Sequence, residues 1–169
     1  LLAAVLVRWR LGAPVLFRQQ RPGHGERPFQ MLKFRTMTNA RDASGALLPD
    51  AQRLTPFGRW LRATSIDELP ELINILRGEM SLVGPRPHVP GMLAAGVPYE
   101  ELDPRYMHRH KVKPGLTGLA QVNGYRGETT TRHAALMRLE FDLAYLERRS
   151  FLLDMKIIFK TAVQEFFKG

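Results

Sequence analysis

Apolar and polar positions repeat with a helical period near the end of the chain. Leu136, Leu139, Leu143 and Leu146 recur every three or four residues, which places them on one face of a helix. Ser150 then stands as the N-cap of a second helix. The pattern therefore predicts two consecutive helices over the last forty or so residues.

The final helix is apolar on one face and basic along its edges. Its apolar face consists of Phe151, Met155, Ile158, Ala162 and Phe166, and its polar positions include Lys156, Lys160 and Lys168. An aromatic-rich helix edged with lysines suits the interface of a membrane. Packing of the same face on the protein core explains the pattern equally well, so both interpretations stay open.

Near the start, the pattern changes from helical to extended. Residues 15–17 and 29–34 are mostly apolar and flank the turn-rich stretch 21–28, which predicts a β-hairpin with a long loop. Side chains of a strand alternate between its two faces, so Lys33 and Arg35 are predicted to share one face. Two cations on one face suit an anion, and they are equally typical of a solvated strand.

The first thirteen residues differ from the rest of the chain. Seven apolar residues precede Arg8, Trp9 and Arg10, whereas a membrane span needs about 20 residues. We interpret residues 1–13 as the end of a longer, truncated membrane helix and its interface, and residues 14–169 as one domain. An ordinary first core helix of a soluble domain is the alternative.

Composition narrows the class of partner. The chain has 169 residues, 44% of them hydrophobic, which is enough for one domain with a real core. Its net charge of +9 indicates an anionic partner: phosphate, nucleic acid or an acidic membrane surface. Cysteine is absent, which excludes disulfides and thiolate metal sites.

Two adjacent acids, Asp67 and Glu68, precede a short apolar repeat. A proline is tolerated only in the first turn of a helix, so Pro70 makes Asp67 the predicted N-cap, with Gly78 closing the helix. The helix would carry Leu69, Leu72, Ile73 and Leu76 on one side. Asp67 would then lie at the positive end of the helix, where phosphate also binds. A plain capping role for Asp67 is the alternative.

Two arginines accompany this acid pair in the sequence. Arg86 lies between Pro85 and Pro87 after the predicted strand 81–83, and a guanidinium on a stiff loop suits a phosphate. Arg62 belongs to a helix that is predicted to begin with Thr55 as its cap and Pro56 in the first position. On its own, Arg62 is typical of a helix surface.

The remaining segments contain fewer candidate functional side chains. Residues 41–50 predict an exposed, mobile loop, residues 89–98 a loop, and Asp103 the start of a further helix. Residues 119–122 predict a short strand that carries Gln121, a side chain able to bond a sugar, a base or neighbouring backbone. His108 and His110 would point to different sides of a helix, and we assign none of the five histidines a catalytic role.

Four sequence blocks together resemble the bacterial sugar transferase family, the monotopic phosphoglycosyl transferases. These blocks are L-F-R-Q-Q-R-P-G at 16–23, K-F-R-T-M at 33–37, S-I-D-E-L-P-E-L-I-N-I-L-R-G-E-M-S-L-V-G-P-R-P at 65–87 and R-H-K-V-K-P-G-L-T-G-L-A-Q-V-N-G at 109–124. They cover nearly the whole chain in the order of the family. Glu71 stands where the family often has Gln, Glu79 where it often has Asp, and Leu119 where Trp is common.

The resemblance implies an α+β fold, a compact and mostly helical domain with a small hairpin, short strands and interfacial amphipathic helices. It implies transfer of a sugar phosphate from a UDP-sugar to polyprenyl (undecaprenyl) phosphate through a covalent aspartyl intermediate, with release of UMP. Asp67 is the implied nucleophile and touches Mg²⁺, and Glu68 assists it. The implied binding residues for phosphate or sugar are Lys33, Arg35, Arg62, Arg86 and Gln121.

The resemblance also implies a place and partners. Members most similar in the 109–129 region start exopolysaccharide chains with glucose or galactose phosphate at the cytoplasmic face of the bacterial inner membrane. The expected partners are the nucleotide sugar, polyprenyl phosphate and the membrane surface, with no nucleic acid, and self-association is left open. Two alternatives remain: a basic nucleic-acid-binding module, and a magnesium-dependent phosphohydrolase that uses the same Asp67.

Overall fold

The computed structural model describes residues 1–127 and 130–167, together with the backbone but not the side chain of Phe166. These residues form two compact units. The first unit comprises Leu1–Gln19 and Met31–Ile73, and the second comprises Gln20–Gln30 and Asn74–Gly169. Both units combine helices with short strands, which confirms the predicted α+β class. The predicted division of the chain at residue 13 stays a prediction.

The first unit opens with helix α1, Leu2–Leu11. The helix ends at Gly12, whose φ of +77° lies in the left-handed region and whose N–H donates to Arg8 O at 3.0 Å. Val7 is buried, whereas Leu2, Val5 and Trp9 are exposed. Among the described residues, none of the helices combines the length and apolar character needed to cross a bilayer.

The predicted hairpin is confirmed. Strands β1, Leu16–Pro22, and β2, Pro28–Phe34, form a two-stranded sheet, and a 3₁₀ turn at His24–Glu26 joins them. The connecting loop is shorter than the turn-rich sequence suggested, because β1 continues as far as Pro22. The open end of the hairpin belongs to the first unit and its tip to the second.

Two helices follow in the first unit: α2, Asp50–Arg53, and α3, Pro56–Ala63. The predicted start of α3 is confirmed, because Thr55 Oγ1 accepts from Gly58 N at 2.9 Å and Pro56 occupies the first turn. A Cβ at Gly58 would lie 1.9 Å from Thr36 O, so only glycine allows α3 to pack this closely.

Residues 41–50 are exposed at every position except Leu48, as predicted. Asp42 Oδ1 accepts from the backbone N–H groups of Ser44 and Ala46 at 2.9 and 3.0 Å, and this pattern fixes a local turn. Its predicted mobility stays a prediction.

The second unit contains a short parallel pair and a short hairpin. Strand β3, Ser81–Val83, pairs with a later strand in parallel, so that Ser81 faces Gly115 and Val83 faces Thr117. The predicted 89–98 loop contains two short antiparallel strands. The remaining elements in chain order are β4 Leu93–Ala94, β5 Val97–Pro98, α5 Tyr99–Leu102, the 3₁₀ helix Pro104–Lys111, β6 Gly115–Thr117, α6 Leu119–Val122, α7 Arg132–Arg148 and α8 Phe151–Phe166.

The predicted strand at 119–122 is wrong. These residues form α6, in which Val122 N donates to Gly118 O at 3.1 Å, and the extended segment lies earlier, at β6. Close backbone packing explains the shift. A Cβ at Gly115 would lie 2.2 Å from Gly84 N, and a Cβ at Gly118 would lie 2.3 Å from Gly84 O. Only glycine at these two positions therefore allows the backbone at Gly84, just after β3, to pack so closely.

Helix α7 confirms the predicted leucine repeat and contributes to two apolar clusters among the described residues of the unit. One buried cluster contains Ala94, Tyr99, Leu102, Tyr106, Ala135 and Leu139, and the other contains Val83, Val122, Tyr145 and Ile157. Asp103 caps the 3₁₀ helix by accepting from Arg105 N at 2.8 Å, as its predicted start requires.

Helix α8 begins as predicted, with Ser150 Oγ accepting from Leu153 N at 3.3 Å. The helix packs on the core through Ile157, yet Phe151, Met155 and Phe159 remain exposed. Core packing and an apolar outer face therefore coexist on this helix. Lys168, predicted on its polar side, lies outside the described residues, as does the side chain of Phe166.

Candidate active site

The two adjacent acids lie in a single 3₁₀ turn of the first unit. Asp67 and Glu68 belong to the turn Ile66–Glu68, which follows Ser65 in the left-handed region at φ +54°. Helix α4 begins only afterwards and spans Glu71–Leu76. The prediction that Asp67 caps this helix is therefore wrong.

Proline at position 70 explains the different start. Without an N–H, Pro70 cannot donate to a carbonyl in the preceding turn. The chain instead advances by 3₁₀-type bonds: Leu69 N donates to Ile66 O at 3.2 Å, and Leu72 N donates to Leu69 O at 3.1 Å. Gly78 follows α4 with φ +77°, which fits its predicted role in ending the helix.

Lys33 connects two acids beside this turn. Its Nζ lies 2.8 Å from Glu68 Oε1 and 3.3 Å from Glu71 Oε1. Glu71 is fully buried and Asp67 is 7% exposed. Because a buried carboxylate needs a compensating partner, Lys33 balances charge at the turn and fixes Glu68 next to Asp67. A direct role of Lys33 in binding phosphate stays a prediction.

The other two predicted cations of the first unit have different surroundings. Arg62 is exposed on α3, and its Nε donates to Thr36 Oγ1 at 3.1 Å. Arg35 lies one residue after the end of β2, and its backbone N–H still donates to Val15 O at 3.0 Å, so the face that it was predicted to share with Lys33 stays a prediction. It is buried and donates to Ala13 O at 3.1 Å and to Leu11 O, just after α1. Partial burial lowers the pKa of Arg35. Its role in phosphate binding stays a prediction.

Helix α4 has the reverse of the usual amphipathic arrangement. Its predicted apolar face exists, but that face is exposed: Leu69, just before the helix, is 50% exposed, and Leu72, Ile73 and Leu76 are exposed on the helix. The fully buried side chains are polar ones, Glu71 and Asn74. An exposed apolar face next to an acid pair is typical of a surface that contacts an apolar partner.

In the second unit, Arg86 lies on a loop whose backbone is fixed at several points. Gly84 N donates to Thr117 O at 2.9 Å, and Gly115 N donates to Pro85 O at 3.0 Å. The Arg86 guanidinium donates to Leu116 O at 3.3 Å. The sequence predicted a stiff loop from its prolines alone, and the structure adds these hydrogen bonds.

Gln121 lies close to Arg86. It is buried on α6, and its Nε2 donates to the same oxygen, Leu116 O, at 3.3 Å. Its Oε1 is a buried atom that finds no hydrogen-bond partner among the described residues, so the amide retains an unused acceptor. The structure thus brings Arg86 and Gln121 together in one unit, and Lys33, Asp67 and Glu68 together in the other.

A buried ion pair next to the Arg86 loop was not predicted. Arg109 donates to Asp142 Oδ2 through Nη2 at 2.7 Å and through Nε at 3.2 Å, and its Nη2 also donates to Arg86 O at 2.7 Å. Burial lowers the pKa of Arg109, but Asp142 and Tyr106 together more than offset this effect, so the pKa is raised overall. One feature of the sequence could have indicated a buried ion pair: Asp142 is an acid within the apolar repeat of α7.

Two histidines near this pair are held neutral. Burial, followed by the charge of Arg109, moves the pKa of His88 well below 6.5. The same two causes lower the pKa of His110 to about 4. His88 Nδ1 lies 3.1 Å from Tyr106 Oη, so this ring has a structural partner.

Comparison with known proteins matches nearly the whole chain to one family. A family model described as bacterial sugar transferase matches residues 1–168. The chain is 47% identical to an undecaprenyl-phosphate glucose phosphotransferase of Komagataeibacter xylinus over 98% of this chain and 32% of that protein. It is also 47% identical to a UDP-glucose:undecaprenyl-phosphate glucose-1-phosphate transferase of Xanthomonas campestris pv. campestris over 95% of this chain and 33% of that protein.

A third relative is of more similar length. The exopolysaccharide production protein PSS of Rhizobium leguminosarum bv. phaseoli is 45% identical over 100% of this chain and 86% of that protein. The chain spans about a third of the length of the first two relatives. Since the family model matches nearly every residue, the chain belongs to the bacterial sugar transferase family.

Proposed function

We propose that this chain is a phosphoglycosyl transferase that moves glucose 1-phosphate from UDP-glucose to undecaprenyl phosphate and so initiates exopolysaccharide assembly. The observation that carries the proposal is the acid pair itself. Asp67 is buried beside Glu68, which Lys33 holds at 2.8 Å, within a chain that belongs to the sugar transferase family. The names of its relatives specify the donor, the acceptor and the product pathway.

Asp67 is the proposed nucleophile. Its carboxylate oxygen forms a bond to the phosphorus that carries the sugar, and the bond from that phosphorus to the bridging oxygen breaks, so UMP leaves with the electron pair. An oxygen of undecaprenyl phosphate then attacks the same phosphorus and releases the Asp67 carboxylate. Two such displacements replace one direct reaction between two anionic substrates.

The surrounding residues supply binding and charge balance. Glu68 lies next to the nucleophile and is fixed by Lys33, which suits it to move a proton or to orient Asp67. Arg62, Arg86 and Lys33 are the proposed contacts for phosphate oxygens, because cations compensate the charge that develops in the transition state. Gln121 offers a buried amide oxygen to a substrate hydroxyl, and Arg35 is proposed as a further phosphate contact.

Magnesium fits this set of oxygen donors. Mg²⁺ is usually held by one or two carboxylates together with substrate phosphates. No group of three ligating side chains forms among residues 1–127 and 130–167, and a site completed by the donor diphosphate needs no such group. Asp67 would hold the ion. When bound, it would neutralise negative charge on the diphosphate.

A lipid acceptor requires the site to lie at a membrane surface. Exposed apolar side chains on α4, just after the acid pair, and on α8 support contact with lipid. The net charge of +9 favours the anionic cytoplasmic leaflet. We therefore place the chain at the cytoplasmic face of the bacterial inner membrane.

The decisive experiment is incubation with a panel of UDP-sugars, undecaprenyl phosphate and Mg²⁺. We expect UMP release that depends on the lipid and is fastest with UDP-glucose. A preference for UDP-galactose would correct the sugar and leave the reaction class intact. Release of free sugar phosphate without lipid would instead identify a phosphohydrolase, and salt-dependent binding of nucleic acid without turnover would favour a nucleic-acid-binding module.

A further inference from the structure

The carbonyl of Arg86 is held by a second arginine. Arg109 Nη2 donates to Arg86 O at 2.7 Å, within the range of a strong charge-assisted hydrogen bond. The adjacent carbonyl, Pro85 O, accepts from Gly115 N at 3.0 Å. Because proline restricts the backbone on both sides, fixing these two oxygens fixes the direction in which the Arg86 side chain leaves the loop.

Arg109 is itself held rigidly. Two hydrogen bonds join it to Asp142 Oδ2, and the side chains of the two residues are 1% and 3% exposed. The ring of Tyr106 lies 5.2 Å from the guanidinium carbon, at cation–π distance. Because the Arg109 guanidinium is buried and bonded to Asp142, its position is fixed. The Arg86 carbonyl oxygen that accepts from it is therefore held in one place.

We infer that Arg109 and Asp142 are positioning residues for Arg86, which orient its guanidinium toward a phosphate of the nucleotide sugar. The inference rests on the proposed function, because it assumes that Arg86 contacts the donor. Arg109 acts on the substrate only through the backbone of residue 86. Asp142 acts one step further away, by fixing the plane of the Arg109 guanidinium.

The chain offers a matched control pair. Arg105 and Glu140 form an ion pair between the same two elements, the 3₁₀ helix Pro104–Lys111 and α7. Their side chains are about half exposed, so this pair lies at the protein surface, unlike Arg109 and Asp142. If the buried pair only joined the two elements, loss of the surface pair would have a similar effect on the kinetics.

The test compares Arg109→Lys with Arg105→Lys in purified protein that is assayed with UDP-glucose, undecaprenyl phosphate and Mg²⁺. Lysine keeps the charge but cannot bond Asp142 and Arg86 O with the same planar fork. We expect Arg109→Lys to raise the KM for the donor by about tenfold, and Arg105→Lys to change it by less than about twofold. A purely structural loss of folded protein would lower the apparent kcat and leave KM unchanged.

A double-mutant cycle with Arg86→Ala completes the test. If Arg109 acts through Arg86, then Arg109→Lys should change KM by less than about twofold once Arg86 is absent. An undiminished effect in that background overturns the inference, as does an unchanged KM in the single variant. If Arg109→Lys does not fold, Asp142→Asn replaces it in the same cycle with the same criteria, with Glu140→Gln as its control.

The same data separate this inference from the proposed function. Absence of UMP release from the unmodified protein, or full activity of Arg86→Ala, would refute the proposed reaction or the proposed role of Arg86. An impaired Arg86→Ala variant beside a fully active Arg109→Lys variant would overturn only the positioning role.

Discussion

Lys33 Nζ lies 3.3 Å from Oε1 of Glu71, a carboxylate that is fully buried at the start of α4. The same ammonium lies 2.8 Å from Glu68 Oε1, so one lysine compensates a structural acid and positions an acid of the proposed site. Stability and catalysis are therefore expected to depend on the same side chain.

Replacement of Lys33 by methionine should destabilise the first unit. The change removes the ammonium that lies 3.3 Å from the buried Glu71 carboxylate, and we expect a loss on the order of 3 kcal/mol in the free energy of unfolding. Denaturant titration measures this loss. The double variant Lys33→Met/Glu71→Gln should recover part of it, since the neutral amide needs no cation. No recovery would show that the pair contributes little.

Replacement of Asp67 by asparagine should abolish turnover. The amide keeps the size of the side chain but is a poor nucleophile, so we expect kcat to fall by ~10³-fold or more. Thermal unfolding and lipid binding serve as controls and should be unchanged. Donor labelled in the sugar phosphate should label Asp67 in the unmodified protein, and product formation without such label would contradict the covalent step.

Substitution of alanine for Gly58 should displace α3. The new Cβ would lie 1.9 Å from Thr36 O, which is backbone and cannot rotate away. We expect a destabilisation of about 1–3 kcal/mol by overpacking and a loss of activity, because α3 also carries Arg62. Arg59→Ala, at an exposed position of the same helix, is the control and should change stability by less than about 0.5 kcal/mol.

Acid should weaken the second unit through His110. Burial, then Arg109, lowers its pKa to about 4 from 6.5, so the unfolded chain binds this proton at a higher pH than the folded chain. Stability that is present above pH 6.5 should be lost as the pH falls toward 4. Partial solvent exposure limits the loss to on the order of 1–2 kcal/mol.

Denaturant titrations between pH 7 and pH 4 test this expectation. The variant His110→Gln should show a smaller loss of stability over that interval, since glutamine does not titrate. His24→Gln, at an exposed position of the same unit, is the control for the substitution itself. Equal slopes for all three proteins would exclude His110 as the source.

Removal of two exposed aromatic residues from α8 should weaken lipid binding. Phe151 and Phe159 are 77% and 72% exposed, so their replacement by serine should leave the fold intact. If they insert into a bilayer, affinity for anionic vesicles should fall by about tenfold or more, given the area they would bury. Vesicle sedimentation measures this change, with Lys156→Gln as a control for loss of charge alone. Unchanged affinity would assign α8 to core packing only.

Periodic and capping signals predicted most elements of this chain. The hairpin, the start of α3 at Thr55 and the two final helices follow from local residue preferences, and each is confirmed. Boundaries set by long-range contacts were not predictable in this way. The strand expected at 119–122 lies at 115–117 instead, because Gly84 packs against Gly115 and Gly118, and only the folded chain brings these glycines together.

In the candidate site, too, local features were predictable from the sequence and long-range contacts were not. The sequence identified the acid pair and the rigid Arg86 loop, since adjacent acids and flanking prolines are local features. It did not identify which side of α4 is buried, because periodicity locates an apolar face but does not say what that face contacts. Nor did it pair Arg109 with Asp142, which lie 33 positions apart.

The Leu116 carbonyl accepts hydrogen bonds from both Arg86 and Gln121, which bears on how the Arg86 side chain can move when a substrate binds. An oxygen with two lone pairs and two donors can lose one donor without becoming an unsatisfied buried acceptor. A phosphate that draws the guanidinium toward itself would therefore leave the amide in place. If Arg86 binds a donor phosphate as proposed, its hydrogen bond to Leu116 O can break in each cycle while Gln121 still donates to that oxygen.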